Sequence, residues 1–255
     1  MTIATSCCAR LYELPITRLV LGDSFHPGGR ALTRKLGELA LVNRSSRVLD
    51  VASGIGNSAR VLATARGCDV VGVDASAASV DAATQLSGAM ALGQRVRFLV
   101  GDAAALPFED DSFDVVVCEC ALCILSPMAG VLAEMRRVLV PGGRLAVSDV
   151  VLSRPIPAEL DNLLGRVLCL AGARSTDGYR DAMVDSGFEN VRCRDVSHVL
   201  LELCDQIEAR LARLGALARA VRLPVELGDA APVLRAGRAF VSSGGAGYAL
   251  VTARA

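Results

Sequence analysis

The sequence predicts an α/β fold: a doubly wound, mostly parallel seven-stranded sheet, with N-terminal helices and a helical insertion before the last strand. Three observations lead there. From Ser46 onward, short β-branched runs alternate with windows of helical periodicity. The first of those runs passes directly into a glycine turn at a helix start, the arrangement of a βαβ unit. Finally, 255 residues with 52% apolar and 21% charged side chains bury a substantial core without disulfide staples and argue against disorder.

The elements follow in order. Residues 10 to 42 carry helical periodicity in Leu11, Leu14 and Leu19, then in Leu32, Leu36 and Leu39, broken by Gly22, Pro27, Gly28 and Gly29; this predicts two helices joined by a turn. Val48 to Val51 is the first strand and Asn57 to Ala65 its helix. Val70 to Val73 and Ser76 to Leu92 form the second pair. Val96 to Val100 is the third strand, Phe113 to Cys118 the fourth, Met128 to Leu139 a helix and Gly143 to Leu152 the fifth strand. Beyond Leu152 the pattern predicts a helix from the Pro155 and Pro157 turn to Leu170, another over Asp177 to Ser186, and a strand over Val191 to Val196. Residues 199 to 242 read mostly as helix, with Leu201, Leu203, Ile207, Leu211 and Leu214 on an apolar stripe, and Gly247 to Ala253 as a closing strand. Three segments result: an arm or lid over 1–45, a core over 46–198, and an insertion with final strand over 199–255.

Composition excludes several function classes. With 27 basic and 27 acidic residues there is no global field to draw nucleic acid or an anionic membrane surface. Only Lys35 is a lysine, which removes most candidates for Schiff-base chemistry. No run reaches the roughly 18 apolar residues of a membrane span, and Met1 to Arg10 lacks the pattern of a signal peptide, so the expected address is the cytoplasm. Thiols stay reduced there. The nine cysteines therefore read as free thiols.

The first candidate site is the run Val48-Leu49-Asp50-Val51-Ala52-Ser53-Gly54-Ile55-Gly56-Asn57. Its glycines allow positive φ and close approach of a ligand to the backbone, and the helix start offers free N–H donors. The second strand ends in Asp74-Ala75, 24 residues after Asp50, where a carboxylate can hold both ribose hydroxyls of an adenosine. The third ends in Gly101-Asp102-Ala103, which can set a carboxylate near an adenine amino group. Three consecutive strands thus carry an acid or a glycine turn at the edge where doubly wound sheets bind ligands.

These motifs resemble the class I S-adenosylmethionine-dependent methyltransferases, which have a Rossmann-like fold. Asp50 to Gly56 stands for the family's glycine-rich motif, Asp74 for its ribose acid, and Gly101-Asp102-Ala103 with Leu106-Pro107-Phe108 for its adenine motif. Ser112-Phe113-Asp114-Val115-Val116 and Arg137-Val138-Leu139-Val140-Pro141-Gly142-Gly143 resemble its fourth- and fifth-strand signatures. A nicotinamide-binding fold is the structural rival; it prefers a third glycine where this chain has Ala59 and does not predict the Pro-Gly-Gly turn. The resemblance implies S-adenosylmethionine as cofactor, with Cys118 joining Asp50, Ala52, Ser53, Gly54, Gly56, Asp74, Ala75, Gly101, Asp102 and Ala103 in its site.

Cys118-Glu119-Cys120-Ala121-Leu122-Cys123 starts where the fourth strand leaves the sheet. A zinc site asks for four ligands in paired clusters, and only one C-x-x-C is present. Within the family, this chain is similar to the arsenite methyltransferases. They carry one cysteine after the fourth strand, matched by Cys120. A second precedes a Gly-Ala pair, matched in Cys169-Leu170-Ala171-Gly172-Ala173, and a Cys-Cys pair near the N-terminus is matched by Cys7-Cys8. The chain departs from that pattern in its Gly-Ile-Gly-Asn motif, in Leu21 to His26, and in the C-terminal region. The resemblance implies a trivalent metalloid held by Cys120 and Cys169, with Cys7 or Cys8 as third ligand or redox partner, and a thiol reductant. Soft sulfur suits such an acceptor, whose lone pair attacks the sulfonium methyl.

Other residues carry two readings each. Cys118 and Cys123 either join the thiol site or pack, and Cys68, Cys193 and Cys204 read as core filler. His26 is a general base or a turn histidine; Glu119 is a base for a hydroxyl acceptor or a solvated strand end. Tyr12 and Glu13 close the pocket or lie on an amphipathic face. His198 has only a structural reading, and Arg210, Arg213, Arg219 and Arg222 read as a solvated face. Two functions compete with metalloid methylation: carbon or oxygen methylation of a small apolar, quinone-like metabolite, and non-catalytic metal or metalloid binding on the same fold.

Overall fold

A computed structural model describes residues 26–161, 169–170, 172–220 and 230–255. Its seven-stranded sheet has the order β3-β2-β1-β4-β5-β7-β6. The strands are β1 Arg47–Val51, β2 Asp69–Asp74, β3 Val96–Val100, β4 Phe113–Glu119, β5 Leu139–Leu152, β6 Glu189–Asp195 and β7 Ala246–Arg254. The pairings among β1 to β5 are parallel, and β7 runs antiparallel to both β5 and β6. The parallel strands read as continuous apolar runs because both faces are covered. Val48, Leu49 and Val51 are fully buried in β1, and Val116, Val117 and Cys118 in β4.

The helices are α1 Gly29–Leu39, α2 Asn57–Arg66, α3 Ala77–Ala89, α4 Met128–Arg137, α5 Thr176–Asp185, α6 His198–Ala220 and α7 Ala230–Ser242. Each has a sequence cause. Ser76 caps α3 by accepting from Ser79 N at 3.1 Å, and Ser175 caps α5 by accepting from Gly178 N at 3.0 Å, satisfying N–H groups that a helix start leaves open. Gly67 ends α2 in the left-handed conformation, with φ of 69°.

Two differences from the sequence expectation have physical reasons. β5 begins at Leu139 and not at Gly143, because Pro141-Gly142-Gly143 bends within the strand instead of preceding it: the β4–β5 register shifts between Phe113 and Val115, and Gly142 takes φ of 77°. The helix expected from Pro155 to Leu170 opens instead on a 3₁₀ turn, Ala158–Leu160, and residues 162–168 lie outside the described part. As expected for segment 199–255, its helices precede a strand that closes the same sheet, β7 pairing with β5 over Arg144 to Leu152. The first predicted helix of the 1–45 arm, together with Cys7, Cys8, Tyr12 and Glu13, also lies outside the described residues.

Candidate active site

At the carboxyl ends of β1 to β4 the sheet opens into a cavity of about 180 Å³. The walls come from the loops after those strands and from the residues around the start of α2. Asp50, Ala52, Ser53, Gly54, Asp74, Ala75, Gly101, Asp102 and Ala103 all border it, as do Ile55, Asn57, Glu119, Cys120, Ile124, Leu125 and His26. Two residues expected there stand elsewhere. Cys118 is fully buried in β4 and forms no part of the wall; its neighbour Glu119, at the strand end, takes that place. Gly56, with φ of 77°, caps α2 and lies under Phe98, whose ring would sit 2.3 Å from a Cβ on it.

The glycine turn is tied to β2. Gly54 N donates to Asp74 Oδ2 at 2.8 Å, Ser76 N donates to Asp74 Oδ1 at 2.9 Å, and Ser53 N donates to the Val73 carbonyl at 3.0 Å. Asp74 is thereby oriented at the cavity edge by backbone donors. A Cβ on Gly54 would meet nothing within 4 Å, so the backbone there faces open space. Asp50 lies below, 2% exposed, accepting from Ala59 N at 3.1 Å. Burial, reinforced by the negative charge of Glu119, holds its pKa well above the ordinary carboxylate value.

The fifth-strand signature has a mechanical role. Arg137, at the end of α4, donates to the Phe108 and Leu106 carbonyls at 2.8 and 3.1 Å and to both oxygens of Glu134, while Leu106 N donates to Glu134 Oε2 at 2.8 Å. This clamp holds the segment that continues from Gly101-Asp102-Ala103.

On the other side, the thiols converge. Cys120 Sγ is 3.5 Å from Cys169 Sγ across 49 residues of sequence, and Cys169 Sγ donates to the Cys120 carbonyl at 3.4 Å. Cys120 borders the cavity; Cys169 lies behind it, 1% exposed. Both adopt positive φ, 54° and 61°, a left-handed conformation that costs a non-glycine residue on the order of 1 kcal/mol or more and concentrates at functional sites. The hydrogen bond with Cys169, then burial, raise the Cys120 pKa well above the ordinary thiol value, and the same two causes raise that of Cys123. Among the described residues no three His, Cys, Asp or Glu side chains are arranged to hold a metal ion. Cys68 is buried in the core, while Cys193 and Cys204 are half-buried.

Sequence reasoning missed Asp149 and Tyr248. Asp149, on β5, accepts from Cys123 N at 2.9 Å and from Val150 N at 2.8 Å. Burial and the nearby Cys169 push its pKa up to about 7. Its signal was present: Ser148-Asp149 interrupts an otherwise apolar run, and buried polar residues in such runs have partners to serve.

His26 borders the cavity and is buried. Its Nδ1 lies 3.1 Å from the Pro27 carbonyl, which can only accept, so Nδ1 carries a proton; Nε2 lies 3.3 Å from Thr33 Oγ1, whose hydroxyl donates to the Gly29 carbonyl at 3.5 Å. Nδ1 also lies 3.7 Å from Glu119 Oε2. Tyr248 and Ser148 hydroxyls are 3.2 Å apart, and Ser148 donates to Glu119 Oε2 at 3.2 Å.

Residues 49–147 match the family model described as a methyltransferase domain. The 27-O-demethylrifamycin SV methyltransferase of Amycolatopsis mediterranei is 32% identical over 88% of this chain and 82% of that protein. The chain belongs to the class I S-adenosylmethionine-dependent methyltransferase family. An arsenite methyltransferase from Halobacterium salinarum is 35% identical to this methyltransferase over 56% of the chain. Among solved structures, the [4+2]-cyclase SpnF aligns with a TM-score of 0.75 and 25% identity, over 96% of this chain and 94% of that one. The methyltransferase spans 64% of the length of GfsG, a methyltransferase of Streptomyces halstedii, and 37% of the arsenite enzyme. Other relatives bear the names of a demethylmenaquinone and a sterol methyltransferase. No helix among the described residues is long and apolar enough to cross a membrane.

The cavity fits S-adenosylmethionine on observations of its own. Three buried polar atoms of its wall residues, Ser53 Oγ, Asn57 Nδ2 and Glu119 Oε1, have no hydrogen-bond partner among the described residues, and the backbone at Gly54 faces open space.

Proposed function

We propose that this methyltransferase methylates a thiol-bound trivalent metalloid, arsenite being the leading case, with Cys120 and Cys169 as its ligands. The observation that carries the reading is their 3.5 Å separation at the cavity wall. Two thiolates on one soft ion, at sulfur–metal lengths of roughly 2.3 Å as for zinc, lie about 3.5–3.8 Å apart. The pair therefore needs little rearrangement to chelate, and the strained backbone at both positions supports a role beyond filling space.

Raised thiol pKa values are no obstacle. A trihydroxy metalloid exchanges a hydroxyl for a thiolate with loss of water, so each thiol proton leaves on the departing hydroxyl. Cys7 or Cys8 of the N-terminal arm supplies a third sulfur in this reading. Asp50, Ala52, Ser53, Gly54, Asp74, Ala75, Gly101, Asp102 and Ala103 hold the cofactor, which supplies an electrophilic methyl group on a sulfonium. The protein's share is position and dehydration: it presents the acceptor's lone pair from the Cys120 side and excludes water. Return of the product to the trivalent state takes two electrons from thiols, which makes a thiol reductant the natural partner and the reducing cytoplasm the natural setting.

The test is calorimetric titration with arsenite under reducing conditions in the presence of the cofactor, followed by transfer of a labelled methyl group. Binding and labelled arsenic product support the reading, and wild-type methylation by both Cys120→Ser and Cys169→Ser ends it. Tight uptake without turnover would instead identify a binding protein.

A second reading, methylation of a hydroxyl or carbon acid on a quinone-like metabolite, has one observation in its favour: the buried His26–Glu119 pair borders the same cavity. Here His26 is the base and Glu119 orients it. The contact between Nε2 and Thr33 Oγ1 must open before that nitrogen accepts a proton. A labelled metabolite with no arsenite binding would decide for this reading.

A further inference from the structure

The Cys120–Cys169 contact has a third thiol beside it. After Cys120 the chain makes a 3₁₀ turn, Leu122–Ile124, which carries Cys123 back toward the same partner. The Cys123 thiol engages Cys169 by a side-chain hydrogen bond, as Cys120 does at 3.5 Å, so Cys169 is common to both. Cys123 is held on two further sides. Its N–H donates to Asp149 Oδ2 at 2.9 Å, and its carbonyl lies against Gly172, where a Cβ would fall 2.0 Å from the oxygen. The missing side chain at Gly172 lets the stretch that carries Cys169 approach the Cys123 backbone this closely. Cys123 is 7% exposed and forms no part of the cavity wall. The three thiols are therefore layered, with Cys120 at the wall and Cys169 and Cys123 behind it.

Trivalent arsenic has three bonds and one lone pair, and sulfur is the ligand it prefers. Two thiolates leave one bond to a hydroxyl. Gripped by three sulfurs from behind the wall, a pyramidal ion turns its lone pair the opposite way, into the cavity where the sulfonium methyl is presented. In the free protein Cys169 bonds its two neighbours separately, and among the described residues no three ligating groups yet surround one point. A cysteine side chain turns about a single torsion between staggered positions. Rotation of Cys123 away from its present contacts is the movement that completes the set.

We propose that Cys123 is the third sulfur ligand of the metalloid, in the place otherwise given to Cys7 or Cys8. It joins Cys120 and Cys169 there, so the assignment rests on the metalloid reading itself. Three arsenic–oxygen bonds break, three arsenic–sulfur bonds form, and each thiol proton leaves in a water molecule. No electrons are transferred, and no oxidant or reductant enters the step.

Two probes of different valence read it by calorimetry on the full-length protein, with a phosphine as reductant so that no free thiol competes. Arsenite takes three thiolates, whereas phenylarsine oxide, with one arsenic bond held by its ring, takes two. Cys123→Ser should weaken arsenite by about tenfold or more and leave phenylarsine oxide within about twofold. X-ray absorption on the arsenite complex should count three sulfurs on arsenic in the wild type and in a Cys7→Ser, Cys8→Ser double variant, but two sulfurs and one oxygen in Cys123→Ser. Three sulfurs retained in Cys123→Ser, or a sulfur lost in the double variant, would overturn the proposal. An equal loss for both probes would overturn it too, by assigning Cys123 to packing. Thermal melts confirm that each variant is folded; if Cys123→Ser is not, Cys123→Ala, which keeps a small apolar group at the buried position, is read by the same criteria. A wild type that binds neither probe ends the metalloid reading and this assignment with it, while unchanged binding of both probes by Cys123→Ser ends the assignment alone.

Discussion

Cys120 and Cys169 stand with their sulfurs 3.5 Å apart, each on a left-handed backbone, one at the cavity wall and the other directly behind it. The loop after β4 and the segment before α5 meet through this contact. Cys120 N also donates to the Ser148 carbonyl at 2.6 Å, which fixes the loop to β5.

If the pair is a chelate, its halves are not interchangeable with hydroxyls. Cys120→Ser and Cys169→Ser should each lower arsenite affinity by at least tenfold while leaving affinity for S-adenosylhomocysteine within about twofold, since neither sulfur lies on the Asp102–Asp74 side. Parallel titrations of the two ligands check this.

Gly172 sits where a Cβ would fall 2.0 Å from the Cys123 carbonyl oxygen. Because the obstacle is backbone, no side-chain rotation relieves it. Gly172→Ala should cost about 1–3 kcal/mol, the range for overpacking, read as a lower denaturant midpoint. It should also weaken arsenite binding, by moving the Cys123 loop away from Cys169.

Asp50 predicts a pH effect of definite sign. Its pKa in the folded protein stands above the ordinary 3.8 because of burial, then Glu119, so the folded state holds the proton to higher pH than the unfolded chain. Its contribution favours folding at acid pH and is lost as pH rises from about 4 through the raised value. Asp50→Asn keeps an acceptor for Ala59 N–H and removes the charge. Urea unfolding of the cofactor-free protein should show the variant gaining on wild type as pH increases from 4.5 to 7.5.

Arg137 makes a prediction about the adenine side. Replacing it with methionine removes the Arg137 donor from the Phe108 carbonyl, takes one of two donors from the Leu106 carbonyl, which keeps Phe108 N, and leaves Glu134 without its guanidinium. The expected cost is about 1–3 kcal/mol in unfolding free energy, with weaker binding of 5′-methylthioadenosine, a probe that reads this end of the cavity alone.

The strands were legible because parallel strands covered on both faces are β-branched runs, and the helices because their apolar residues recur at helical spacing. The cavity wall from Asp50 to Ala103 was legible because strand ends in a doubly wound sheet share one edge, so sequence order translates into position. Reading failed where side-chain direction matters. Cys118 and Glu119 are adjacent in sequence, yet one is sealed in the sheet and the other borders the cavity. Gly56 starts α2 beneath the Phe98 ring, a contact that spacing does not announce. Asp149 was passed over because an isolated acid within an apolar strand has no visible partner until the Cys123 loop folds over it.

By itself the amino-acid sequence determined the order of elements, the Rossmann-like class, the methyltransferase family and the strand-end acids, since these depend on periodicity, turn chemistry and spacing along one chain. Tertiary structure alone decided that Cys120 meets Cys169 across 49 residues, that one oxygen of Glu119 has no hydrogen-bond partner among the described residues, and that His26 comes within 3.7 Å of that carboxylate. Such contacts are formed by loops closing over the sheet, and their distances follow from packing against β5 and β7, which no local pattern encodes.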